Sequence, residues 1–191
     1  MVFFPLLSFT QDGERVLRQY YQGFPFTEGI YLTMEDFRQN KPTFTQDFER
    51  RGSQLYLHDD SLKKMILVSP KKIWGYSQVD NIYISYEDAY WRLINLGRLS
   101  HFSAIFVSTY QTVDAYGFPV ERSSKRMEHL FLDFKSGKVK QLTYENLEKY
   151  FKEEPMQYEA FKKLKRKKQQ DLILALKAYN ELNPIYFLEG E

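Results

Sequence analysis

The sequence predicts an α+β domain: a single antiparallel sheet, curved or barrel-like, of about six to eight strands, with short helices at strand ends and a long C-terminal helix on one face. Three observations carry this. Short runs rich in β-branched and aromatic residues follow one another through the middle of the chain, separated by turn formers. Helical periodicity is concentrated near the C-terminal end. The 191 residues, 43% hydrophobic with 16 Phe and 15 Tyr, hold enough apolar material for one continuous core.

Each element has its own warrant. Val2 to Phe9 is largely apolar, and Ser8-Phe9-Thr10 offers a small-x-small cleavage pattern before Gln11. Residues 1–10 therefore read as the remnant of a secretory signal and 11–191 as the domain, although no Lys or Arg precedes the run. A first core strand is the competing reading. Val16, Leu17, Tyr20 and Tyr21 stand at helical spacing before Gly23 and Pro25, which predicts a short helix. Ile30 to Leu32 reads as a strand running into a helix capped by Thr33, with Asp36 three positions on and Pro42 past its end. The runs QLYLHDD, KKMILVSPKKIWGYS, NIYISYE, AYWRLINLG and HFSAIFVSTYQ then read as neighbouring antiparallel strands.

A polar connection, TVDAYGFPVERSSKRM, is expected next. Leu130, Leu132 and Phe134 alternate before Ser136-Gly137, which predicts a hairpin. Its second strand leads to Thr143, an N-cap for a helix burying Leu147, Tyr150 and Phe151. From about Met156 to Leu182 one long helix is expected, because Phe161, Leu164, Leu172, Leu176 and Tyr179 fall mainly on one stripe before Asn183-Pro184. The similarity of Ile30–Asp36 to Ile82–Asp88 is explained by shared capping chemistry, since no sustained repeat period accompanies it.

Composition narrows the function classes. With 27 basic and 25 acidic residues, the chain has no general attraction for nucleic acid. The absence of cysteine removes disulfides, Cys-ligated zinc and thiol catalysis. Nine scattered glycines form no phosphate loop or dinucleotide fingerprint, so no cofactor is implied. No stretch approaches the ~18–20 uncharged residues of a membrane-spanning helix.

Three groups of residues merit testing. In IWGYSQVDNIYI a turn over Gln78–Asn81 sets Tyr76 against Tyr83, with Trp74 on that same side and Ile73, Ile82 and Ile84 on the other. Such a hairpin needs cover on both faces, by the protein's own elements or by a partner, and Trp74, Tyr76 and Tyr83 are the candidate contact surface. His58, Asp59 and Asp60 combine an imidazole with carboxylates, and with His101 they define an alternative hydrolase reading. A turn at Asp59-Asp60-Ser61 is the plainer explanation. Ser100 cannot meet His101, because adjacent strand residues point to opposite faces. Lys162, Lys163, Lys165, Arg166, Lys167 and Lys168 form a basic patch suited to anionic groups, or a solvated helix face.

The segments GIYLTMEDFRQNKP, IWGYSQVDNIYI, DFKSGKV and KAYNELNP resemble, across most of the chain, an uncharacterised family of exported proteins from Bacteroidota-type bacteria. In that family's pattern an Asp-Gly type of turn stands where this chain has Gln78-Val79-Asp80-Asn81. The resemblance implies an exported, periplasmic or envelope location, with a cytoplasmic one as the alternative. It implies no activity. The expected function is a non-enzymatic binding or envelope-interaction module whose partner is an envelope component or a small apolar or aromatic ligand.

Overall fold

The computed structural model describes residues 16–59, 63–164 and 168–188. Its largest unit is a seven-stranded antiparallel sheet curled into a half-barrel, in the order β11-β10-β9-β8-β7-β6-β2. The strands are β2 (Gly29–Tyr31), β6 (Gly75–Gln78), β7 (Asn81–Tyr86), β8 (Ala89–Asn95), β9 (Leu99–Val113), β10 (Pro119–Asp133) and β11 (Val139–Gln141). From β6 to β11 each strand pairs with its successor, so tight turns alone build most of the sheet. A register shift between Leu93 and Asn95 in the β8–β9 ladder adds local twist where the sheet curls.

The sheet is not single, as the sequence had suggested. β3 (Phe48–Arg51), β4 (Gln54–Asp59) and β5 (Lys64–Val68) form a separate three-stranded sheet, and β1 (Leu17–Gln19) pairs with β12 (Tyr186–Leu188) in a third. β1 occupies the place of the helix expected around Val16 to Tyr21. A helix of under two turns has little stability of its own, whereas here the C-terminal segment supplies a ladder, Leu17 against Leu188 through Gln19 against Tyr186.

Capping chemistry places the helices. Thr33 and Asp36 form a reciprocal capping box at α1 (Met34–Arg38), and Thr143 accepts from the Asn146 amide at α2 (Tyr144–Phe151). The third copy of that motif behaves differently. Glu87 and Asp88 take positive φ and turn β7 into β8 instead of starting a helix. Among the described residues the expected long C-terminal helix is two, α3 (Pro155–Lys162), with Lys163 at its C-cap, and α4 (Gln169–Leu182), with Lys168 extended at its N-cap position.

Away from the outer part of β9 and β10, both faces of the sheet are covered. On one, Ile82, Ile84, Phe102 and Leu132 pack with Phe24, Phe26, Phe37 and Phe187 from β12, α1 and the segment before β2. On the other, Leu99 and Phe131 lie under Leu147, Phe151, Leu172 and Leu176 of α2 and α4. A third cluster joins Ile30, Tyr76 and Tyr90 to Leu55 of the smaller sheet. Asn180 of α4 ties helix to sheet, its side chain accepting from the Leu99 amide at 2.8 Å and donating to the Leu99 carbonyl at 2.9 Å. Gly97 makes this approach possible, since a Cβ there would collide with the Asn180 side chain.

Candidate functional site

The β6–β7 hairpin has the register expected from its sequence: Tyr76 faces Tyr83 and Gly75 faces Ile84. Its rings, however, are mostly packed inside. Tyr76 is fully buried, stacked on Tyr83 at 4.7 Å between centroids and edge-on to Phe48 and Tyr90. Burial pushes its hydroxyl up to about 12, with the nearby Arg50 charge working the other way. Arg50 also covers the outer side of Tyr83, its guanidinium 5.1 Å from the ring centroid.

Trp74 does not share their side. The chain bends at Trp74 ahead of β6, which breaks the strand alternation and sends the indole into the opposite cluster, stacked on Phe37 at 4.3 Å. Ile73 moves the other way and packs with Tyr76. The three rings proposed as one contact surface are therefore divided between two cores.

Of the hydrolase reading, His58 and Asp59 lie in a different sheet from His101. His58 lies on β4, where its backbone pairs with Met65; Asp59 pairs with Lys64; Asp60 lies outside the described residues. His101 stands on β9 in the other sheet. Two histidines do meet: His101 Nε2 is 3.1 Å from His129 Nδ1, the Ser103 hydroxyl is 3.1 Å from that same Nδ1, and Asn95 Nδ2 is 3.4 Å from His101 Nδ1. Burial first, then the charges of His129 and Lys177, depress His101 to about 4, so it is neutral near pH 7. Ser103 and His101 share a strand face at spacing two, whereas Ser100 turns away to bond Gly97. Among the described residues, no three His, Asp or Glu side chains gather as a metal set.

Of the basic patch, Lys162 and Lys163 end α3 and Lys168 stands at the N-cap position of α4 without a side-chain cap bond; Lys165, Arg166 and Lys167 lie outside the described residues. Lys162 is paired with Glu159 and lies over the Tyr158 ring.

Two features escaped the sequence. The first is a projecting ribbon. The expected polar connection, residues 112–127, is instead the end of β9, a turn and the outer part of β10, and the two strands are paired without interruption from Val113–Pro119 down to Leu99–Asp133. β8 pairs with β9 only at Phe102 and His101, and β11 with β10 only from Leu130 to Leu132. Beyond those points both edges of the ribbon are free of ladder partners among the described residues, and Ile105, Val107, Tyr110, Val113 and Met127 are exposed. At its tip Asp114 organises the turn, accepting from the Tyr116 and Phe118 amides at 2.8 and 2.9 Å. Tyr116 and Phe118 project into solvent, 86% and 67% exposed. The apolar residues Val113, Phe118 and Val120 flank the turn, but the polar residues around them obscured the strand signal.

The second is a polar network at the opposite end of β10. Asp133, nearly buried, is paired with Arg98 and accepts from the Ser136 hydroxyl at 2.6 Å, the Lys135 amide at 3.0 Å and the Tyr150 hydroxyl at 3.3 Å. Lys140 donates to Tyr150 at 2.8 Å. These groups join the residue before β9, the end of β10 and its following turn, β11 and α2, positions 98 to 150 in sequence, so no local pattern could have assembled them. Compared with protein-family models, curated proteins and solved structures, the chain matches none.

Proposed function

We propose that this protein is a non-enzymatic binding module, exported to the cell envelope, that engages its partner through the tip of the β9–β10 ribbon. The observation that carries this reading is the ribbon itself. A two-stranded hairpin standing alone in water is marginal, yet this one extends well past its neighbours and presents two large rings at a turn held by Asp114. Rings displayed on an ordered backbone lose little conformational entropy on contact, which suits them to anchor a partner. The envelope address is supported by the apolar start of the chain and by the resemblance to exported proteins.

The test is photo-cross-linking in cells that make the protein. A photoreactive residue at Tyr116 is expected to yield a discrete adduct that fractionates with the envelope. The same residue at Val79, the 71% exposed turn of the β6–β7 hairpin, is expected to yield none. No adduct from Tyr116, or equal adducts from both turns, removes the proposal.

A further inference from the structure

At the base of the ribbon a cleft of 380 Å³ opens over the Asp133 network. Five cations line it, namely Arg98, Lys135, Lys138, Lys140 and Lys149, against two carboxylates, Asp133 and Glu153. The local excess is thus three positive charges, more than the +2 of the whole chain. The excess is not consumed internally. Arg98 is paired with Asp133, but among the described residues none of the four lysines has an ion-pair partner.

The framework beneath the lysines is fixed. Asp133 has both oxygens engaged, which secures the 133–138 turn carrying Lys135 and Lys138, and Lys140 is held over the Tyr150 ring at 4.8 Å. Asp133 also cancels the charge of Arg98 at the floor, so the unbalanced cations lie at the walls and rim. Converging like charges repel one another, and a multiply charged anion between them removes that cost while gaining several charge-assisted contacts. Lysines act as mobile point charges and suit a tetrahedral oxyanion without demanding the planar fork that arginine gives.

We propose that this cleft binds a phosphoryl-type dianion through Lys135, Lys138, Lys140 and Lys149. The group belongs either to a soluble phosphate compound or to a lipid headgroup, and the two sources share this chemistry. The site is at the far end of β10 from the ribbon tip, roughly 45 Å along the strand at ~3.3 Å per residue, and does not depend on the tip's partner.

Pyrophosphate titrated calorimetrically into the intact chain is the first probe, and vesicles of phosphatidylcholine with or without phosphatidic acid are the second. Saturable binding to at least one probe, weakened by 0.5 M salt, is expected. The K138E/K149E variant alters two exposed side chains, so it should keep the wild-type melting temperature while losing about tenfold or more in affinity. K125E/R126E makes the same change in net charge on the ribbon and should bind as the wild type does. Binding of pyrophosphate assigns the soluble source, and binding confined to phosphatidic acid vesicles assigns the headgroup. Absence of binding to both probes overturns the proposal, as does an equal loss, or no loss, in the two double variants.

Discussion

The β6–β7 and β9–β10 hairpins draw on the same residue types, and they end in opposite environments. Tyr76, Ile82 and Ile84 of the first are buried under neighbouring elements on both faces, whereas Tyr110, Tyr116 and Phe118 of the second stand in solvent. The outer part of β10 is the more polar, yet both hairpins carry large rings. What differs is cover: α1, β12 and the β3–β5 sheet close over the short hairpin, and nothing among the described residues reaches the outer part of the long one. An aromatic residue on a strand thus becomes core or contact surface according to which elements the chain folds back onto it.

The largest expected effect puts that contrast to direct measurement. Tyr76→Ala removes a ring that three other rings enclose and should cost about 3–5 kcal/mol in urea unfolding, while Phe118→Ala at the tip should stay within about 0.5 kcal/mol. Equal losses at the two positions would mean that the ribbon is as covered as the hairpin.

The base of the ribbon offers a second test. His101, at the point where β9 leaves the core, is held neutral by burial, with a folded value near 4 against an ordinary value of about 6.5. Between these values the unfolded chain takes up the proton more readily than the folded one. Stability should therefore fall as pH drops from about 6.5 to 4, by roughly 1–3 kcal/mol, and the loss should be absent in His101→Gln. A flat urea midpoint across that window in the wild type would show that His101 is solvated and the ribbon base open.

The smallest effect concerns turn chemistry. Val79 and Asp80 both have positive φ, 48° and 59°, the pairing that a two-residue turn between twisted strands requires. A β-branched residue there is strained, so Val79→Asn should raise stability by about 0.5–1 kcal/mol. The ribbon's own turn has a positive-φ Gly117 where its geometry needs one, and no similar gain is expected from replacing its neighbours. A loss of stability in Val79→Asn would contradict the strained turn.

These contrasts show what was legible beforehand. The register of Tyr76 against Tyr83, the caps at Thr33 and Thr143, and the turn after Asp133 depend on residues within a few positions of one another, and they followed from spacing alone. The side taken by Trp74 did not follow, because a bend ahead of β6 breaks the alternation on which the inference relied. The pairing of β1 with β12 joins residues about 170 positions apart, and a local helical pattern outweighed it in the sequence. The meeting of Arg98, Asp133, Lys140 and Tyr150 has the same character.

By itself the sequence determined the strand-rich class, the tight turns and the capped helix starts, because backbone preference and side-chain alternation act over short range. Only the tertiary structure decided how the sheet divides, which rings are covered and where the charges converge, because those depend on contacts between segments that the chain brings together late and over long distances. The projecting ribbon and the lysine-lined cleft belong to that second class, and both tests of function are aimed there.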